Sequence, residues 1–514
     1  ARAITAALTN KLLGMPAVTT MTLALGMQRM AKMRALVRRL PAVETLGSVT
    51  VICTDKTGTL TRNQMTVSVF KLDQRSIDVT GTGYEPEGEF KEGDKSLDPK
   101  TDEALALALR IGILCNDAKV ERANGETKIL GDPTEAALLV AAEKVGLDPV
   151  ALASEYPRLS EVPFSSENKQ MITVHRTPDG KTVAFIKGAP GALLDASQSV
   201  DRKYWDAQNE ELAKAALRVL ALAYRELPES YKENEIARDL TFVGLVGMRD
   251  PLREEAKTAI ATCHEAGIRS VMITGDQQVT AAEIARQLGI DKDFDGKPLR
   301  IVHGSELENL DAEGWKRTVA DAAVFARVSP EHKLRIVEAF QAQNHVVAMP
   351  GDGVNDAPAL QQTDLGIVMG IQGTEVAKES ADIVITDDNF ATIVSAVEQG
   401  RIIYSNILRF LHYLLSCNLS EILTVFVALM VGWPLPLVAL QVLWLNLITD
   451  IFPAFALALE TSAPDVMKRA PRDPDKPLIT TRFVGLISWQ AFLLAGVTLV
   501  AFAIGLRWYG STGA

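Results

Sequence analysis

Cys53-Thr54-Asp55-Lys56-Thr57-Gly58-Thr59-Leu60-Thr61 is the stretch whose reading decides the fold of this chain. The run Val49-Thr50-Val51-Ile52 before it is apolar and β-branched, as a buried strand requires. The strand ends on the carboxylate of Asp55, and a Thr-Gly-Thr turn lined with hydroxyls follows. A carboxylate on a tight loop at the C-terminal edge of an α/β sheet is placed to act as a nucleophile. Asp-Lys-Thr-Gly taken alone would also suit a strand followed by a capped polar turn.

Three motifs further along can complete a site around Asp55. Thr274-Gly275-Asp276 follows an apolar run at 270–273, and a strand-end hydroxyl with backbone amides suits a phosphate oxygen. Lys333 lies in Ser329-Pro330-Glu331-His332-Lys333, where a helix-borne ammonium would offset charge on a transferred phosphoryl group. Gly351-Asp352-Gly353-Val354-Asn355-Asp356-Ala357-Pro358 is a glycine-rich turn with two carboxylates. Such a turn suits Mg²⁺, which takes oxygen ligands and keeps several waters. Singly, these are a common turn, a solvated lysine and an empty loop. Their order, each after a strand candidate, argues for one site. The strand candidates at 49–54, 270–274, 346–349 and 365–369 are followed by helical stretches, which predicts a doubly wound parallel sheet.

Together these motifs resemble the haloacid-dehalogenase superfamily core and, more narrowly, the phosphorylation domain of the P-type ATPases. The resemblance implies that Asp55 takes the γ-phosphoryl group of ATP. It implies that Asp55, the carbonyl of Thr57 and the carboxylate of Asp352 hold Mg²⁺. Thr274, Gly275 and Lys333 would contact the phosphoryl group, with Asp276 beside them, and Asn355 and Asp356 would support the site. Asp250-Pro251 and Arg327 also match the family pattern, and Arg327 and Asn355 are counted on the cofactor-binding side.

Residues 66–235 interrupt the α/β pattern. Alternating stretches at 66–72 and 181–187 and a helical stretch at 133–144 read as a separate, inserted α+β domain. It contains Val162-Pro163-Phe164-Ser165, then Lys169, Lys187-Gly188-Ala189-Pro190 and Leu217-Arg218-Val219-Leu220. An aromatic face can stack an adenine, and Lys and Arg can meet phosphates. Without further information Phe164 would read as core and the cations as surface. The resemblance to the family's nucleotide-binding domain implies instead that Glu135, Phe164, Lys169, Lys187 and Arg218 line an ATP pocket.

The last hundred residues are apolar and sparsely charged. Segments at 407–431, 435–459 and 483–506 each approach the ~20 apolar residues that cross a bilayer. The loop 464–481 and the residue after it carry Lys468, Arg469, Arg472, Lys476 and Arg482, so by charge it faces the cytoplasm. A further apolar stretch at 13–27, before the basic run 29–39, reads as half a membrane helix. The expected order is a partial membrane helix and stalk over 1–40 and a phosphorylation domain over 41–65 and 236–400. The nucleotide-binding insertion takes 66–235 and the transmembrane helices 401–514. Asn418 and Glu421 are spaced i, i+3, and Asn446, Thr449 and Asp450 are spaced i, i+3, i+4, so each set shares a helical face. Ionisable groups inside a membrane are costly and read as functional, although interhelical hydrogen bonding would use the same residues. Glu421 and Asp450 offer the hard oxygen ligands that Ca²⁺ prefers.

The stretches 418–421 and 443–453 resemble the ion-binding helices of the calcium-pump branch. That branch carries an earlier Pro-Glu-Gly-Leu-Pro run, matched here by Leu12-Leu13-Gly14-Met15-Pro16. Leu13 replaces the glutamate, so a second calcium site built on that position is not expected. No Thr-Gly-Glu actuator motif is found where the family would have it. The expectation is therefore a chain missing the first spans and the actuator domain, capable of phosphate transfer but not of sustained turnover.

Composition bounds the rest. The chain has 514 residues and a formal charge of −11, which excludes a typical nucleic-acid binder. Its four cysteines, at 53, 115, 263 and 417, form no paired motif, and a reducing compartment fits. Residues 1–10 do not read as a signal peptide. The overall expectation is ATP-driven cation transport, calcium first, through an aspartyl phosphate. ATP, Mg²⁺, a divalent cation and a lipid bilayer are the expected partners, with the catalytic domains on the cytoplasmic side of the cell membrane. Two alternatives stay open: the same family with Na⁺, K⁺ or H⁺, and a truncated, non-transporting nucleotide-binding membrane polypeptide.

Overall fold

Val51–Asp55 forms a central strand of an eight-stranded sheet. The protein is seen here in a computed structural model that describes residues 18–123, 126–165, 167–228, 230–232, 235–461, 465–473 and 479–510. The sheet order is Ala35–Val37, Ile383–Ile385, Leu365–Met369, Val347–Gly351, Val51–Asp55, Arg269–Thr274, Ala322–Ala326, Arg300–His303. All neighbours are parallel except the first pair. Parallel strands are covered on both faces and so read as unbroken apolar runs. Val51, Ile52 and Cys53 accordingly have no exposed surface. Helices Glu254–Glu265 and Gln278–Leu288 bury Ile260, Cys263, Ala281 and Ala285 on one face. Helices Ala312–Asp321 and Pro330–Gln341 bury Trp315, Val319, Ile336 and Phe340 on the other.

After Asp55 the sheet grows first toward Arg300–His303 and then, from Val347–Gly351 onward, on the opposite side. Asp55 thus stands where the winding direction reverses, at the C-terminal edge, where open α/β sheets form their binding crevice.

The insertion is built on a nine-stranded antiparallel sheet. Its order is Lys95–Leu97, Phe90–Glu92, Arg75–Val79, Thr66–Leu72, Thr241–Arg249, Arg218–Leu227, Thr182–Gly188, Gln170–Arg176, Arg158–Val162. Thr241–Arg249 lies between Thr66–Leu72 and Arg218–Leu227, so the insertion closes at Arg249 rather than at 235. The start also differs from the sequence reading. Residues 18–32 are helical, but Ala35–Val37 then joins the eight-stranded sheet beside Ile383–Ile385 instead of extending a stalk to residue 40. The chain turns there at Arg34, whose φ is 67° and whose carbonyl accepts from the amide of Thr386. The Leu12–Pro16 motif lies outside the described residues.

Among the described residues two helices are long and apolar enough to cross a membrane, Phe390–Met430 and Thr481–Trp508. The first is continuous for 41 residues, so the segment leaving the phosphorylation domain and the first expected span are one rod. The middle segment, expected at 435–459, is helical only from Ala439 to Ala458. It is also interrupted by a π-helical turn at Leu445–Asp450. Pro434 and Pro436, ahead of it, cannot supply helical amide donors. Phe410 and Leu414 of the long helix pack against Ala454 and Ala458, and Asn406 Nδ2 donates to the carbonyls of Ala458 and Glu460 at 3.2 and 2.9 Å.

Candidate active site

Lys333 Nζ donates to Asp55 Oδ2 at 2.6 Å and to Asp356 Oδ1 at 2.8 Å. Local sequence puts it there. Ser329 caps its helix by accepting from the amide of His332, and Pro330 occupies the first turn, where a missing N–H costs nothing. The helix start is thereby fixed at the crevice, and Lys333 lies one turn in. Burial alone would push its ammonium down, but Asp55 and Asp356 outweigh that and hold it well above its ordinary value. The side chain is a permanent cation beside the carboxylate.

Asp356 is 3% exposed and is the centre of the loop. Its Oδ2 accepts from the amides of Asp352 and Gly353, both at 3.2 Å, which folds Gly351–Asp356 back on itself and fixes the Asp352 backbone. The Asp352 carboxyl is raised above the usual carboxylate range by burial first, then by the charges of Asp356 and Asp55, against the pull of Lys333. Clustered acids that resist ionisation together are what a bound cation relieves. Asp55 and Asp352 therefore fit a hard divalent metal. Gly58 allows the approach: its φ is 74°, and a Cβ there would lie 2.5 Å from Gln372 Oε1 and 3.7 Å from Asp352 Oδ2. Thr57 is exposed on the same loop.

Thr274 is buried at the end of its strand, and its Oγ1 accepts from the amide of Asp276 at 3.1 Å. Lys56 Nζ pairs with Asp276 Oδ2 at 2.8 Å, bridging the Asp55 loop to the Thr274-Gly275-Asp276 turn. The Arg327 amide, in a left-handed conformation with φ 54°, donates to the Asp276 carbonyl at 3.1 Å. Asn355 is exposed on the turn Val354–Asp356. Cys53 cannot compete as a nucleophile, because burial pushes its thiol up to about 12, a little eased by Arg269.

Two supporting residues escaped sequence reasoning. Lys56 is inside the opening motif, but nothing in its spacing announces Asp276 as its partner. Arg253 donates from Nη2 to the Gly58 carbonyl at 3.3 Å and from Nε to the Thr61 carbonyl at 3.1 Å, clamping the loop from the far side of the insertion. Asp250 joins it, accepting from Thr61 Oγ1 at 2.5 Å and from the Gln64 amide at 3.1 Å.

In the insertion, Val162 pairs with Ile172, Gln170 with Gly188, and Gly188 with Ala221. That register puts Phe164, Lys169 and Arg218 at one end of four adjacent strands. Phe164 is 62% exposed, so it is not a core residue. Lys187 is buried, and its Nζ donates to Glu135 Oε1 at 2.6 Å and to the Cys115 carbonyl. Glu135 Oε2 accepts from the Asp117 amide at 3.1 Å. This end of the sheet is thus floored by a satisfied ion pair, with an exposed aromatic ring above the strand ends.

In the apolar region Asn418 and Glu421 are half-buried on the long helix, and Asp450 is 6% exposed at the end of the π turn that also contains Asn446 and Thr449. π turns widen a helix locally and recur at functional sites. Among the described residues no group of three or more His, Cys, Asp or Glu side chains converges as a ready metal cage.

Known proteins match this sequence. Residues 104–255 match the cytoplasmic domain N of P-type ATPases, 184–361 the haloacid dehalogenase-like hydrolases, and 434–514 the C-terminus of cation-transporting ATPases. The chain is 44% identical over 508 residues to a calcium-transporting ATPase of Bacillus subtilis, covering 96% of this chain and 56% of that one. It is 43% identical over 500 residues to the cation-transporting ATPase pma1 of Synechocystis, covering 93% and 55%. It is 46% identical over 505 residues to the probable cation-transporting ATPase F of Mycobacterium tuberculosis, covering 95% and 55%. The chain therefore spans a little over half the length of these relatives.

Proposed function

This chain belongs to the P-type cation-transporting ATPases, and from that premise we propose that Asp55 is phosphorylated by ATP and that the reaction drives a cation, Ca²⁺ first, across a membrane. The observation that carries the reading is the Asp55–Lys333–Asp356 triad at the sheet's switch point. An Asp55 carboxylate oxygen attacks the γ-phosphorus of ATP, a new O–P bond forms, the bond to the β-phosphate oxygen breaks, and ADP leaves. Lys333 offsets the charge on the transferring group, and the Thr274 hydroxyl and Gly275 amide take its oxygens, with Asp276 held in place by Lys56. Mg²⁺ held by Asp55, Asp352 and the Thr57 carbonyl would supply further positive charge there. Phe164 stacks the adenine, while Lys169 and Arg218 meet phosphates at the strand ends. Glu135 and Lys187 brace the floor, and Arg327 and Asn355 approach the nucleotide from the phosphorylation domain.

Asn418, Glu421, Asn446, Thr449 and Asp450 are the cation ligands in this reading. The burial of Asp450 and the π turn that carries it favour them. The apolar helices sit in the cell membrane and the two sheet domains in the cytoplasm. The test is phosphoenzyme formation from labelled ATP with Mg²⁺. The product is expected to survive acid, to be cleaved by hydroxylamine and to vanish in Asp55→Asn, while nucleotide binding stays. Labelling that persists in Asp55→Asn sinks the assignment. Running the same assay with Ca²⁺, Na⁺, K⁺ or altered pH identifies the cation by which one stimulates labelling.

A further inference from the structure

Two strands of chain join the domains, and each carries an arginine at the crossing. The pair Thr66 with Arg249 closes the inserted sheet, and the bridge Thr61 with Leu252 opens the phosphorylation domain. Arg62 lies between them on the outgoing strand, its amide donating to the Pro251 carbonyl at 3.0 Å. Among the described residues neither the Arg62 nor the Arg249 guanidinium has a hydrogen bond or an ion pair. Both line a cavity of about 240 Å³ with Lys56, Thr82, Asp250, Glu254 and Gln287. In that wall Lys56 is already paired with Asp276, while Asp250 accepts from Thr61 and Gln64, neutral donors that leave its charge in place. Asp250 and Glu254 are the carboxylates of the wall, and what it offers an anion is two guanidinium forks with no partner of their own.

The geometry points to a small multivalent oxyanion, of orthophosphate or pyrophosphate size, bound at the hinge between Arg62 and Arg249. Guanidinium forks match tetrahedral oxyanions through paired, charge-assisted hydrogen bonds. Pockets at domain junctions are favoured ligand sites. The volume admits one such anion and is too small for a nucleoside triphosphate. Because one guanidinium belongs to each joining strand, the anion clamps the hinge in the arrangement seen here. Orthophosphate is also a product of the proposed reaction, so occupancy would slow the reopening of the domains after turnover. The binding itself does not depend on that reaction.

The test uses the full chain carrying Asp55→Asn, in EDTA, at constant ionic strength with chloride as the control anion. Equilibrium dialysis with labelled orthophosphate is expected to show one saturable site for which pyrophosphate competes. Arg62→Gln and Arg249→Gln should each weaken it at least about tenfold, since each removes hydrogen bonds to a charged group. Lys333→Ala should leave it within about twofold. Circular dichroism and ATP affinity show whether the variants are folded. Hydrogen exchange on the parent chain needs no variant: orthophosphate should slow exchange at the amides of Arg62 and Gln64. No saturable binding below about 10 mM, binding that survives in the folded double variant, or unchanged hinge exchange overturns the proposal. Loss of the site in Lys333→Ala also overturns it, by placing the anion at Asp55.

Discussion

Asp352 is a carboxyl whose ionised form the metal-free fold disfavours. Its pKa is raised in the folded protein, chiefly by burial and then by Asp356 and Asp55. A raised acid favours the fold below its unfolded pKa of about 4 and loses that contribution as pH climbs through the folded value. Asp352→Asn imitates the neutral form. The variant is expected to melt about 1–3 °C higher than the parent near pH 7.5 without metal, with the gap closing below pH about 4. It should also lose Mg²⁺-dependent labelling of Asp55. Equal melting temperatures at both pH values would mean that solvent, not the neighbouring carboxylates, sets its charge. Phe164 belongs to the same scale. At 62% exposure it contributes little to the core, so Phe164→Ala should leave the melting temperature unchanged. Lost stacking of roughly 1–3 kcal/mol should weaken ATP binding about fivefold or more. A fall in stability with unchanged ATP affinity would return the ring to a packing role.

At the scale of elements, hydropathy and motif order were legible because buried strands are read by composition. Thr66–Leu72 and Leu365–Met369 match their expected bounds, and Val51–Asp55 lies within one or two residues of its own. The exit from the insertion was not legible. Thr241–Arg249 is as apolar as a parallel strand, and only its antiparallel partners assign it to the second sheet. The π turn was equally hidden, since a shift in backbone hydrogen bonding changes no hydropathy. Nor could sequence spacing find the joint made by Arg401. This buried side chain donates to the carbonyls of Val466 at 3.2 Å, Arg469 at 2.8 Å and Ala266 at 3.0 Å. It ties the long helix, the loop after the second apolar segment and the helix Glu254–Glu265 at one point. Arg401→Ala strips all three carbonyls of a charged donor and should cost about 2–4 kcal/mol. Thermal melting should show the loss, and protease should cut 465–473 faster. Phosphorylation of Asp55 should survive, because no catalytic group is touched. A variant as stable as the parent would show that water replaces the guanidinium at no cost.

For the whole molecule, the question is how a site in the apolar region speaks to Asp55. Glu421 lies on the same unbroken helix whose first turns, through Phe390, Ile393 and Val397, are buried in the phosphorylation domain. Glu421→Gln and Asp450→Asn are therefore expected to lower cation-stimulated labelling of Asp55 at least about tenfold at limiting cation, with ATP affinity unchanged. Full stimulation in both variants would remove these carboxylates from the cation path. The continuous helix also has a mechanical consequence. From Phe390 to Glu421 it is about 46 Å long at 1.5 Å per residue. A lever of that length turns a tilt of about 5° at the catalytic end into a displacement of about 4 Å at the carboxylate. That exceeds a calcium–oxygen bond of about 2.4 Å, so if Glu421 holds the cation as proposed, a rocking of that size at the Phe390 end is enough to make or break its coordination.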